Sequence, residues 1–119
     1  MKLLTETIRA QLIRNGQLRQ DFAEEGRCEP DFLPVVKLFT PDANCIWLLT
    51  ELDPDTPDIA FGLCDLGMGS PELGSVSLSE LESVRGPFGL PVERDLHFTA
   101  TKTLSAYAAE ARQSGRIVA

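Results

Sequence analysis

SLSELESVRGPFGLPVERDLHF, residues 77–98, carries a helix start, a helix stop, a stiff turn and an alternating strand in one span. Ser77 and Glu80 have capping-box spacing, with Ser79 and Glu82 as a second register; either pair satisfies free amides of a first helical turn. Leu78, Leu81 and Val84 follow as an apolar stripe, and Gly86 is placed to end the helix, which predicts a short helix over residues 78–85. Pro87-Phe88-Gly89-Leu90-Pro91 is then a stiff connector. Beyond it, residues 92–98 alternate, with Val92, Leu96 and Phe98 on one side and Glu93, Asp95 and His97 on the other. Arg94 interrupts the apolar side, as a residue on an edge strand or in an ion pair would. The stretch specifies architecture and spells no reaction.

Working outward, the segment before it reads as strands. Residues 34–40 hold Val35, Val36, Leu38 and Phe39, and Thr40-Pro41-Asp42-Ala43-Asn44 supplies turn chemistry. Residues 45–52 form a second strand, with Trp47 and Leu49 on one face and Ile46, Leu48 and Leu52 on the other. A strand apolar on both faces is central and covered on at least one side. The prolines of residues 53–58 stop the ladder. Ile59, Phe61 and Leu63 mark a third strand over residues 59–66, Gly67-Met68-Gly69 a hairpin loop, and residues 73–76 a short fourth strand. Short loops between consecutive strands predict an antiparallel meander.

Helices flank the strands. Leu4, Ile8 and Leu12 predict a helix over residues 4–14, with Thr5 as N-cap and Asn15-Gly16 as a stop. Leu18 and Phe22 fit a second short helix ending before Gly26. Glu29-Pro30-Asp31 is a loop. Leu104, Tyr107, Ala108 and Ala111 give the last helix, residues 102–113, its apolar face, with Gly115 following. The expected fold is α+β, an antiparallel sheet of four to five strands packed with amino- and carboxyl-terminal helices. The 119 residues suit one domain.

Composition excludes several classes. The longest apolar run, Cys45-Ile46-Trp47-Leu48-Leu49, falls far short of the roughly 20 residues that span a bilayer. Thr5, Glu6 and Arg9 break up MKLLTETIRA, which argues against a secretory signal. Cys28, Cys45 and Cys64 are odd in number with no CxxC, so neither a disulfide framework nor a zinc site is expected, and a reducing cytoplasm fits. Cys45 and Cys64 sit in apolar runs as small core residues, while Cys28 lies in a polar one. The net charge of −7 is uneven: no Lys or Arg occurs between Lys37 and Arg85, an interval holding nine acids, and the flanks sum to +2. Such a middle segment disfavours direct binding to nucleic acid, whose phosphates need cations, and favours a protein partner with a basic surface. The plainer reading of these acids is turn formation and solubility.

Glu93, Asp95 and His97 are the sharpest chemical constellation. On a strand they would project from one face about 7 Å apart, able to bind a divalent metal or act as acid and base. A solvated face of an edge strand has the same pattern. His97 is the only histidine, so any Ser-His-Asp or Cys-His mechanism would have to use it. Asp53, Asp55 and Asp58 miss the calcium-loop pattern, because Pro57 takes a ligand position and Asp58 the required glycine. Gly67-Met68-Gly69 lacks the GK[ST] of a phosphate loop, leaving Met68 as a possible partner contact. Arg85 and Arg94 could grip a carboxylate or phosphate; the plainer reading is a salt bridge to Glu82, Glu93 or Asp95. Arg9, Arg14 and Arg19 are spaced by five residues and do not form one helical stripe.

With these residues in view, the chain resembles a bacterial family of single-domain proteins of unknown function. The similarity rests on residues 34–41 (PVVKLFTP), 47–53 (WLLTELD), 61–69 (FGLCDLGMG) and 77–98, and extends from about Leu4 to the carboxyl end. The resemblance implies an accessory product of plasmids, integrative elements or phages, often encoded near anti-restriction and conjugation functions. It supplies no catalytic residue. The expectation is a non-enzymatic acidic protein-binding module, an inhibitor or regulator of a nucleic-acid-handling enzyme, using Asp53, Asp55, Asp58, Met68, Glu82, Arg85 and Arg94. No cofactor and no metal are expected. The alternative is a small metal-dependent or acid/base enzyme centred on Glu93, Asp95 and His97.

Overall fold

The computed structural model describes residues 3–119; Met1 and Lys2, at the head of the MKLLTETIRA stretch, lie outside the described residues. Five strands form one antiparallel sheet: β1 (Val36–Phe39), β2 (Ile46–Leu52), β3 (Ile59–Asp65), β4 (Glu72–Ser77) and β5 (Glu93–Arg94), in the order β4-β3-β2-β1-β5. Helix α1 (Glu6–Glu24) precedes them, α2 (Leu78–Ser83) joins β4 to β5, and α3 (Leu104–Ser114) closes the chain. The fold is α+β, as expected.

Two apolar clusters place the layers. On one sheet face, Val36, Leu38, Trp47, Leu49, Leu52 and Ala60 pack with Leu12 of α1 and Leu78 and Leu81 of α2. On the other, Leu48 and Leu63 pack with Leu104, Tyr107, Ala108 and Ala111 of α3 and with Ile117. The apolar face assigned to α3 from its spacing is the face it buries. β2 is central and covered on both sides, as its two apolar faces require. Leu52 is the exception to its face assignment. The β2–β3 register shifts between Leu49 and Glu51, and this bulge returns Leu52 to the side of Leu49.

Asn15-Gly16 does not stop the first helix. α1 runs through it as one element, and both residues are buried. The reason is tertiary. Asn15 Nδ2 donates to the Thr50 carbonyl at 2.8 Å, at the bulge. A Cβ on Gly16 would overlap the Leu52 carbonyl oxygen, so the glycine lets helix and sheet touch. Other boundaries shift by one to three residues. β1 begins at Val36, two residues inside the expected strand. α2 ends at Ser83, before Gly86, with Val84 already extended. Helix α3 starts at Leu104, two residues later than expected.

Distant carboxylates start the two shorter helices. Asp58, in the β2–β3 turn, accepts the Ser79 amide and the Ser77 and Ser79 hydroxyls, while Ser77 Oγ accepts from the Glu80 amide. Ser79 is thus bound to Asp58 and makes no second capping box with Glu82. Asp31 accepts the amide and hydroxyl of Ser105 in the first turn of α3, whose N-cap Thr103 makes no side-chain cap bond. Hydrogen bonds from these serines hold both carboxyls below the usual range.

Candidate functional site

The expected ladder of Glu93, Asp95 and His97 does not assemble. β5 ends at Arg94. Asp95 Oδ1 accepts the His97 amide at 2.9 Å, an Asx turn that bends the chain out of the sheet, and Leu96 is left 73% exposed. The backbone hydrogen bond from His97, followed by Lys37, holds the Asp95 carboxyl below its ordinary value. Asp95 and His97 line an open cleft of about 550 Å³ with Tyr107 and the Lys102–Glu110 ion pair, and Glu93 stands apart from it. Among the described residues, no group of three His, Cys, Asp or Glu side chains is arranged to hold a metal ion. Burial pushes the Cys64 thiol up to about 11, which keeps it protonated. Cys45 and Cys64 pack against the core, and Cys28 is exposed.

Among the described residues, Arg85 and Arg94 make no carboxylate salt bridge. Arg85 donates to the carbonyls of Glu82 and Val84, closing the end of α2. Arg94, on an edge strand, donates to the Leu3 carbonyl at 2.6 Å. Of the first helix's arginines, Arg19 is committed: it pairs with Glu51 and, at 3.0 Å, with Glu29, and stacks on Phe61. Arg19 Nε faces Glu51 as an ion pair without hydrogen-bond alignment. Burial pushes the Glu51 carboxyl up, against the pull of Arg19.

The cation-free interval divides between two ends of the sheet. At the end formed by the β1–β2 and β3–β4 turns, Asp65 is 2% exposed and accepts the amides of Gly67 and Ile117. Asp42 accepts the amides of Phe88 and Leu90 through Oδ2, at 2.8 and 3.3 Å. It pins the connector into a small hairpin, with Gly86 flush against its carboxylate. Phe88 stands 84% exposed at that hairpin and Met68 81% exposed on the β3–β4 turn. Phe88 was not singled out from the sequence; the signal available was an aromatic held between a proline and a glycine.

At the opposite end, the β2–β3 turn meets the start of α2. Asp53, Asp55, Glu80 and Glu82 are exposed there. Asp53 accepts the Asp55 amide, and Asp55 accepts from Gln20. Asp58 and Glu82 border one cleft with Arg9. The carboxylates of the β2–β3 turn therefore point to different partners, as in a solvated turn, and leave an acidic surface able to attract ammonium and guanidinium groups. Of the residues expected to touch a partner, Asp53, Asp55, Asp58 and Glu82 gather at this end. Met68 lies at the other, and Arg85 and Arg94 bond backbone carbonyls.

Fold and surface together define a small α+β protein with one antiparallel sheet between helices. The family model for "protein of unknown function (DUF2958)" matches residues 3–118, and the chain belongs to that family. No curated protein and no solved structure matches it. Among the described residues, no helix is long and apolar enough to cross a membrane.

Proposed function

We propose that this chain is a one-domain, non-catalytic binding module that docks on a protein with a basic surface. The reading is carried by the exposed carboxylates of Asp53, Asp55, Glu80 and Glu82 at one end of the sheet, in an interval without Lys or Arg. Asp58 belongs to the same end but is held by the α2 cap, so its part is structural as well. A cytoplasmic partner that handles nucleic acid fits, because such a protein presents cations spaced for phosphate, and carboxylates can occupy the same positions. The resemblance to accessory products of mobile elements agrees with this role.

The test is co-purification of a tagged copy from its native host at low and high salt. A stoichiometric basic protein that leaves as salt rises is expected, because screening weakens exposed charge pairs. Replacing Asp53, Asp55, Glu80 and Glu82 together by Lys should abolish capture while the far-ultraviolet circular dichroism stays unchanged. Capture that survives this variant would refute the acidic-end reading. A partnerless protein at both salts would move the weight to the cleft of Asp95 and His97, with His97→Ala as the next measurement.

A further inference from the structure

The two edges of the sheet differ. β5 has two residues, with Pro91 before it and the Asp95 turn after it, so it offers little backbone to pair with. β4 has six residues in unbroken register with β3. Among the described residues it has no proline, bulge or lysine and no covering strand, and Glu72 at its start is its one charged side chain. The hydrogen-bond phase shows which groups are open. The Asp53 amide bonds the Ile59 carbonyl, so Ile59 faces β2, and the Leu78 amide bonds the Asp58 carbonyl, so Leu78 faces β3. Alternation then turns the amides and carbonyls of Glu72, Gly74 and Val76 toward β3 and those of Leu73 and Ser75 outward. Among the described residues, the outward groups of Leu73 and Ser75 have no hydrogen-bond partner. Both side chains are exposed, and a Cβ on Gly74 would meet nothing within 4 Å.

Charge selects the occupant. Glu72 lies on the strand, Asp58 accepts the Ser77 hydroxyl at its end, Glu80 is exposed in the first turn of α2, and Glu29 and Asp31 share a groove with Leu73. Arg19 also borders that groove but is held by Glu51 and Glu29. A second copy of the chain would bring this acidic edge against itself, in a molecule of net charge −7.

We propose that the outer edge of β4 accepts an extended, Lys- or Arg-bearing segment of the protein partner as a sixth strand. The inference rests on the basic-partner reading and adds its mode of docking. Backbone hydrogen bonds at Leu73 and Ser75 supply pairing, and the flanking carboxylates select cationic side chains.

The probe is a synthetic peptide, KVKVTVKV, titrated into the full chain while amide exchange is followed by NMR, with EVEVTVEV as control. The expected result is exchange at Leu73 and Ser75 slowed about tenfold or more by the basic peptide alone. Ser75→Pro removes an outward amide and no ladder bond, so the sheet should persist while peptide affinity falls about tenfold. Leu73→Lys, at an exposed position, should weaken the basic peptide without disturbing the core. Three results overturn the proposal: no slowing at millimolar peptide, equal slowing by both peptides, or protection of Leu73 and Ser75 by self-association in sedimentation. If the native partner binds Ser75→Pro normally but is lost by the four-lysine variant, the edge mode falls and the acidic-end reading stands. If the partner is indifferent to both, both fall.

Discussion

At the end of the sheet carrying the β1–β2 and β3–β4 turns, Asp42 and Asp65 are turned into the molecule and hold backbone amides. At the other end, Asp53, Asp55, Glu80 and Glu82 face water, and Asp58 alone is committed to a helix cap. The two sets come from one interval without a cation, and nothing in composition separates them. The separation arises from what each carboxylate can reach. Asp42 and Asp65 sit where a turn or the carboxyl-terminal segment passes with otherwise unpaired amides, and at buried Asp65 leaving the Ile117 amide without an acceptor would cost stability. Among the exposed acids, Asp53 accepts the Asp55 amide within its own solvated turn, where water could replace it. An acidic stretch is therefore two things here: loop scaffolding at one end, and at the other an exposed acidic surface.

Replacing single residues sharpens the contrast. Asp65→Ala is expected to have the largest effect. It leaves the amides of Gly67 and Ile117 without an acceptor in a buried site, a loss of about 3 kcal/mol and a Tm lower by about 12 °C. A change of only a degree or two would break the claim that this end is scaffolding.

Arg19→Met comes next, at about 2 kcal/mol at pH 7, because it strips Glu51 of its partner. The Glu51 carboxyl in the fold lies above its ordinary 4.5, so its charged form destabilises the fold. Stability is lost as pH rises through the window that begins at 4.5 and ends at the folded value. Removing Arg19 widens that window upward. Urea denaturation should show a larger deficit at pH 7 than at pH 4.5, and a pH-independent deficit would mean that lost packing on Phe61 is the cause.

Asp42→Ala should cost about 1 kcal/mol, since the amides of Phe88 and Leu90 can turn to water in its absence. Its mark is local: faster amide exchange confined to residues 86–90, with β2 and β3 unchanged.

Asp58 acts through pH. Its folded carboxyl is lowered from 3.8 by the Ser77 and Ser79 hydroxyls, so its contribution is present above 3.8 and is lost as pH falls through the folded value. Asp58→Asn should flatten the decline of Tm between pH 5 and pH 2; an unchanged acid limb would show that the cap does not depend on ionisation. Smallest of all on stability, Asp53→Asn or Glu80→Gln should stay within about 0.5 kcal/mol, measured by denaturant midpoint.

Local pattern was enough for the strands of the meander, the buried stripe of α3 and the Ser77 cap, because alternation, helical spacing and capping chemistry are properties of neighbouring residues. It was enough, too, for Gly115, which ends α3 with φ 71°. It misled at Asn15-Gly16 and at residues 92–98. In both places, a short-range signal met a long-range partner or a side-chain turn: the Thr50 and Leu52 carbonyls under α1, and the Asp95 carboxylate on its own backbone. The candidate surface followed the same division. That residues 38–84 hold acids and no cation is written in the chain. Which acids cap helices, which pin loops and which remain exposed depended on amides brought close by folding, and a carboxylate's neighbours in space are not its neighbours in sequence. The open edge of β4 belongs wholly to the tertiary structure, because strand order, and hence which backbone groups are left unpaired, is decided only when the sheet assembles.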